Sequence, residues 1–345
     1  MSLYCKIRKR LGSFLLDVDL EAGDEVLALL GASGCGKSMT LRCIAGIEQP
    51  DSGKIILDGK TLYDSDRKIN LAPRHRKAGM LFQDYALFPN MTVHENIRSS
   101  MPRERHCEIE SLITTFHLTG LHAHYPHQLS GGQRQRCALA RMIASEPNLI
   151  MLDEPFSALD TFLRWQMEQE VAAAISRFRK TVLLVSHNRD EVYRLCDRAT
   201  ILSAGRNEAI RTKQDLYFQP RTFADALLTG YKNIFAVETV GKRILIPEIG
   251  AEFSVEPANG PIKYAGIRAK KMLPCFLRSP DLDTVDLPYQ IESVTENVFS
   301  YILLVRPEGG TKSICWEISK DIYKEILHHP PVLSIPKSEI MLLQD

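Results

Sequence analysis

The stretch Val26-Leu27-Ala28-Leu29-Leu30-Gly31-Ala32-Ser33-Gly34-Cys35-Gly36-Lys37-Ser38-Met39 decides the fold. Its first five residues are apolar without interruption, the pattern of a strand buried on both faces in a parallel sheet. The glycine-rich turn that follows lets backbone N–H groups converge on anionic oxygens. The helix expected over residues 39–45 directs its N-terminal dipole at the same point. A strand, Gly31-x4-Gly36-Lys37-Ser38 and a helix, in that order, make a cradle for the phosphates of a nucleotide such as ATP. Gly31, Ser33, Gly34, Cys35, Gly36, Lys37, Ser38 and Met39 are the expected lining. Lys37 is expected to reach the β- and γ-phosphates, and the Ser38 hydroxyl to hold Mg2+. A chance glycine turn is the alternative; strand, lysine and serine together argue against it.

Two more apolar runs, 149–152 and 181–185, end in Asp153-Glu154-Pro155 and Ser186-His187, and a further strand over 78–82 ends at Gln83. Ligands of open α/β sheets gather at the carboxyl ends of strands, so these ends are expected to share one site. Asp153 is the expected Mg2+ carboxylate. Glu154, one residue on, is placed to polarise an attacking water and accept its proton. Gln83 can ligate Mg2+ and orient water without carrying charge. His187 can donate to a γ-phosphate oxygen and register its loss. Alone, each has a plainer reading: two solvated acids, a surface glutamine, a histidine with its hydrogen bonds satisfied. Ser130-Gly131-Gly132-Gln133 precedes a run of helix formers, so Ser130 is expected to cap a helix whose glycines expose N–H groups to a second anion site.

The rest of the chain sets bounds. Its 345 residues are enough for two domains, and 44% apolar with 25% charged residues is ordinary for a globular protein. A formal net charge of +1 gives no field to steer the chain to nucleic acid, and no nucleic-acid partner is expected. The first ten residues lack an apolar core behind their charges, so no secretory signal is expected. No apolar run approaches the roughly 18 residues of a membrane span. The 8 cysteines are scattered, with no CxxC pair, which argues against a zinc site or disulfide framework.

Residues 84–145 read as a helical insert. Residues 161–179 read as a helix capped by Asp160, with Phe162, Trp165, Val171 and Ile175 toward the core. After Gly230 the pattern changes to short β-rich runs at 234–240, 243–246, 265–268, 289–294, 300–305 and 313–318, separated by turns. The expected division is an α/β domain over 1–230 and a compact β-barrel or sandwich over 231–345.

Taken together, GASGCGKS, LFQ, LSGGQRQR, LIMLDEP, SALD and VSH resemble, in this order, the ATP-binding subunits of ABC transporters. The resemblance implies an α/β P-loop ABC ATPase domain with helical insert. It implies that Gln83 is the Q-loop residue, Ser130–Gln133 the signature, Ser157 to Asp160 the D-loop and His187 the switch histidine. It also implies a head-to-tail homodimer, each ATP lying between one subunit's P-loop and the other's signature. The β-rich C-terminus and Gly266-Ile267-Arg268 are similar to importer subunits, which carry a small C-terminal β-barrel-like domain of TOBE or Mop type. Residues 62–65, 69–74, 82–89 and 91–93 most resemble the molybdate importer ATPase, and sulfate, iron and polyamine importers share much of this pattern. The resemblance implies partners in an integral membrane permease, engaged through residues 85–89, and indirectly an extracytoplasmic solute-binding protein. It implies a peripheral place on the cytoplasmic face of the membrane.

Two departures stand out. Met39 replaces the usual threonine, leaving only its backbone N–H for the α-phosphate. Tyr4 and Phe14 are the candidates for stacking on adenine. A soluble ABC ATPase of DNA repair or translation is the competing class; the short insert and single cassette disfavour it. In the C-terminal region Arg268, Lys270 and Lys271 offer either an oxyanion site or a solvated basic turn.

Overall fold

The computed structural model describes residues 2–82, 84–157, 161–178, 180–254 and 260–344. The chain forms two compact units, Met1–Lys213 and Gln214–Asp345.

In the first unit the elements run β1 (Leu3–Leu11), β2 (Phe14–Ala22), β3 (Val26–Leu30), α1 (Lys37–Ala45), β4 (Ser52–Leu57), β5 (Lys60–Asp64), β6 (Ile69–Asn70) and β7 (Ala78–Leu81). They continue α2 (Val93–Ser100), α3 (Ile109–Thr115), α4 (Gly131–Ala144), β8 (Leu149–Asp153), α5 (Thr161–Phe178), β9 (Thr181–Ser186), α6 (Arg189–Leu195) and β10 (Arg198–Ser203). One half of the sheet is parallel, in the order β10-β3-β9-β8-β7. Every residue of β3, β8 and β9 is buried, which is why these strands read as unbroken apolar runs.

The other half, β6-β5-β4-β1-β2, is antiparallel. The sequence reading did not foresee it. Its signal is alternation: Cys5 and Ile7 are buried while Lys6 and Arg8 face out opposite Asp19 and Asp17. Leu16, Leu20, Leu41, Ile44 and Ile55 belong to the core on this side. Arg76, 1% exposed, reaches into it and donates to the carbonyls of Cys43 and Ile44, both at 2.9 Å. Its guanidinium thereby adds a donor to the Cys43 carbonyl, which also accepts from the Gly46 N–H, and one to the Ile44 carbonyl at the end of α1.

The helical insert holds α2, α3 and α4, and α4 packs against both α2 and β7. On α5 the expected core face needs correction. Val171 is fully buried and Ile175 half-buried, but Trp165 is 60% exposed. The buried face runs through Met167 and Val171, and a residue two positions before Met167 points to the opposite side of a 3.6-residue helix. The Phe162 side chain and the proposed cap Asp160 lie outside the described residues.

The second unit begins with two short helices, the second at Phe223–Leu228, and is then built of strands. In one three-stranded sheet 264–267 lies between 233–236 and 340–343, and in another 243–246 lies between 238–240 and 251–254. A five-stranded sheet is organised by Thr284–Glu296, which pairs with Val332–Pro336 along its first half and Ser300–Pro307 along its second. A bulge between Ile291 and Ser293 lets the strand curl. Trp316 is fully buried at the centre, its Nε1–H donating to the Met272 carbonyl at 3.1 Å and Tyr289 meeting it edge-on. These curled antiparallel strands fit a TOBE-like domain.

Candidate active site

β3, β9 and β8 are neighbours and parallel, with Leu30 opposite Ser186 and Val185 opposite Asp153. Their carboxyl ends therefore deliver the glycine loop, His187 and the Asp153-Glu154 pair to one edge of the sheet. β7 lies next to β8 with Leu81 opposite Leu152, so the segment leading to Gln83 leaves from the same edge. Gln83 and Asp160 themselves lie outside the described residues.

The loop is shaped by close approach and handedness. A Cβ on Gly31 would sit 2.4 Å from the Leu202 carbonyl oxygen. Gly36 has φ 109°, and a Cβ there would meet Leu16 Cδ1 at 2.6 Å. No side chain caps α1 behind Gly36, so the amides of Lys37, Ser38 and Met39 open toward the loop. Lys37 is 5% exposed; its ammonium donates to the Gly31 and Ala32 carbonyls, both at 2.8 Å, and lies 3.9 Å from Cys35 Sγ. Ser33 and Gly34 form the exposed outer part of the turn.

Ser38 Oγ donates to Asp153 Oδ1 at 2.8 Å, across 115 residues of sequence. Burial pushes the Asp153 carboxyl above its ordinary value, the Ser38 bond acts against that, and neighbouring Glu154 adds to it. A hydroxyl and a buried carboxylate side by side are hard oxygen donors, a set that fits Mg2+. Glu154 adopts φ 46°, a left-handed conformation uncommon outside glycine. Its N–H is held by the Val185 carbonyl at 3.0 Å, and its own carbonyl accepts from Ser157 N and Oγ. Its carboxylate Oε1 lies 3.2 Å from Nδ1 of His187, whose ring is more than half exposed.

Ser130 caps α4 in a reciprocal box: Gln133 N–H donates to Ser130 Oγ at 3.3 Å, and Ser130 N–H donates to Gln133 Oε1 at 2.8 Å. Ser130 is exposed, Gly131 half-buried and Gly132 buried. Among the described residues no hydrogen bond joins this segment to the phosphate loop. The fold thus gathers Lys37, Ser38, Asp153, Glu154 and His187, and leaves Ser130–Gln133 outside that cluster.

Of the two adenine candidates, only Phe14 borders the loop, its ring 3.3 Å from where a Gly36 Cβ would be. Tyr4 pairs with Glu21 and Ile56 inside the antiparallel sheet. The C-terminal bases form no oxyanion site as placed. Arg268 donates to the Thr229 and Tyr217 carbonyls and lies over the Tyr231 ring, Lys270 pairs with Glu317, and Lys271 with Glu339. Sequence reasoning quoted Ser186 beside His187 without giving it a role, and missed Glu191, which accepts from the Ser186 hydroxyl. Asn188 followed by Asp190 and Glu191 is a helix-start signal that would have drawn attention to it.

The family pattern described as ABC transporter matches residues 16–157. A sulfate/thiosulfate import ATP-binding protein of Caulobacter vibrioides is 39% identical over 250 residues, covering 69% of this chain and 72% of that protein. The chain belongs to the ABC transporter ATP-binding family.

This ABC chain is also 42% identical over 217 residues to the putrescine transport ATP-binding protein PotG of Escherichia coli K12, covering 61% of the chain. The match spans 56% of that relative's length, little more than half. Among solved structures it is similar to the dimeric bacterial ABC transporter cassette MJ0796, with TM-score 0.52 and 27% identity over 62% of this chain and 99% of that one. The same cassette is known in a dimeric post-hydrolysis state bound to ADP and Pi. No helix among the described residues is long and apolar enough to cross a membrane.

Proposed function

We propose that this chain is the ATP-hydrolysing subunit of an ABC importer, driving uptake through a separate membrane permease from a peripheral position on its cytoplasmic face. The observation that carries this reading is the meeting of Ser38 and Asp153 at 2.8 Å, with Glu154 and His187 adjoining. A phosphate-loop hydroxyl, a metal-type carboxylate, a candidate base and an imidazole converge at one sheet edge.

The mechanism follows from these atoms. The loop amides and the Lys37 ammonium, transferred from the Gly31 and Ala32 carbonyls, hold the β- and γ-phosphates. Ser38 and Asp153 would hold Mg2+, which when bound supplies positive charge beside the phosphate oxygens. Glu154 orients a water in line with the γ-phosphorus and takes its proton as the bond forms. His187, whose Nδ1 lies 3.2 Å from the Glu154 carboxylate, faces the γ-phosphate oxygens and stabilises their charge. Phe14 flanks the adenine. Gln83 links the phosphate end to the permease through residues 85–89.

Ser130 is exposed at the start of a capped, glycine-led helix, and among the described residues no hydrogen bond joins Ser130–Gln133 to the chain's own glycine loop. This supports a head-to-tail homodimer in which the signature of one copy closes over the ATP of the other. MJ0796, a dimeric cassette, supports the same reading.

Replacing Glu154 with Gln is expected to leave ATP affinity within about twofold while ATP turnover falls about 10²–10⁴-fold. Nucleotide fluorescence titration and phosphate release measure the two. Turnover at the wild-type rate would overturn the role of Glu154.

The solute is a finer proposal. Molybdate, or tungstate, is favoured by the resemblance at 62–65, 69–74, 82–89 and 91–93, whereas the relatives named above serve sulfate or thiosulfate and putrescine. In the reconstituted transporter, ATPase stimulation by a molybdate-loaded binding protein is the expected result. Stimulation by sulfate or putrescine alone would replace molybdate by that solute.

A further inference from the structure

Ser186 ends β9 with 2% exposure, and its hydroxyl is fully engaged. It donates to Glu191 Oε2 at 2.7 Å and accepts from the Asn188 N–H at 2.9 Å. Asn188 Oδ1 in turn accepts from the N–H groups of Asp190 and Glu191, capping α6. Residues 186 to 191 therefore form a closed ring of hydrogen bonds. His187 is turned outward from it, its Nδ1 3.2 Å from Glu154 Oε1.

Glu191 is 4% exposed, and its second oxygen faces Arg164 Nε of α5 at 3.9 Å. Its other titratable neighbours are Glu168, itself paired with Arg194, and His187. Burial pushes the Glu191 carboxyl up, so an acid here is costly. A packing role would be met more cheaply by an apolar side chain. What a carboxyl adds is a directional bond that fixes the Ser186 hydroxyl.

We infer that Glu191, acting through the Ser186 hydroxyl, is the positioning residue that holds the His187 loop in register with Glu154 and ties it to α5, the helix that follows the 157–160 segment. The inference rests on the reading of His187 and Glu154 given above. Catalytic geometry is sensitive enough for this to matter, a 1 Å displacement costing about 100-fold.

The test uses the full chain with Mg-ATP. Ser186→Ala and Glu191→Ala are each expected to lower kcat about 10–100-fold with KM and nucleotide affinity within about twofold. Ser186→Thr and Glu191→Gln, which retain a hydroxyl and an acceptor, are expected to restore kcat to within about threefold of wild type, and they decide the matter should the alanine variants fail to fold. Ser186→Ala in a His187→Ala background is expected to add nothing, because the hydroxyl acts through the imidazole. Wild-type kcat in the alanine variants, Glu191→Gln as slow as Glu191→Ala, or additive losses with His187→Ala would each overturn the inference. Should His187→Ala itself turn over normally, the reading of His187 falls; should it be slow while Ser186→Ala is not, only the present inference falls.

Discussion

In Met1–Lys213 the chemically suggestive side chains stand at strand ends, with Ser38 on Asp153, Glu154 by His187, and open amides at the start of α1. In Gln214–Asp345 the comparable groups are turned to internal use: Arg268 on two carbonyls and the Tyr231 ring, Lys270 on Glu317, Lys271 on Glu339. Both regions contain glycine turns, basic residues and buried polar atoms. They differ in what those atoms have left to bind. A set whose members converge with like or unneutralised charge asks for an external partner. A set that closes on itself stabilises a fold. Residue type alone does not distinguish the two.

The largest expected break in this contrast is Trp316→Ala. Removing a fully buried indole that also hydrogen-bonds the Met272 carbonyl should cost the second unit about 3–5 kcal/mol. Circular dichroism of the full chain in denaturant should show an early transition, and ATP affinity measured below it should be unchanged. A parallel loss of ATP affinity would mean that the two units do not hold their functions separately. Next is Gly36→Ala. The left-handed φ and the Leu16 contact should add about 1–3 kcal/mol of strain to the phosphate loop. ATP binding should weaken at least tenfold by fluorescence titration while the second unit unfolds as before. Normal ATP affinity would show that the loop tolerates a side chain there. The smallest effect is expected for Arg268→Ala, about 1–2 kcal/mol on the second unit, read from Trp316 fluorescence in urea. Unaltered stability would mean that the Arg268 contacts are not structural and would reopen its use for a ligand.

Much of the first unit was legible because its signals are local. Gly31 to Ser38 carries its own backbone requirement, and Ser130 with Gln133 carries both halves of its capping box. The curled β unit was legible as a class, and Arg243–Ile246 in its bounds. The antiparallel strands 3–22 passed unnoticed because alternating charge and apolar residues resemble a solvated segment until a partner strand is given. Trp165 was misassigned because hydrophobicity names a candidate for the core without giving the direction of the helix face.

The sequence by itself determined the glycine loop, the acidic and imidazole strand ends and the capped helix after Ser130, since each depends on neighbours within a few residues. Only the tertiary structure decided that Ser38 meets Asp153, that the Ser186 hydroxyl meets Glu191, and that Arg268 is consumed by the fold. These contacts join residues far apart in the chain or on different elements. Which distant groups meet is set by strand order, register and packing, and no single stretch of sequence contains that information.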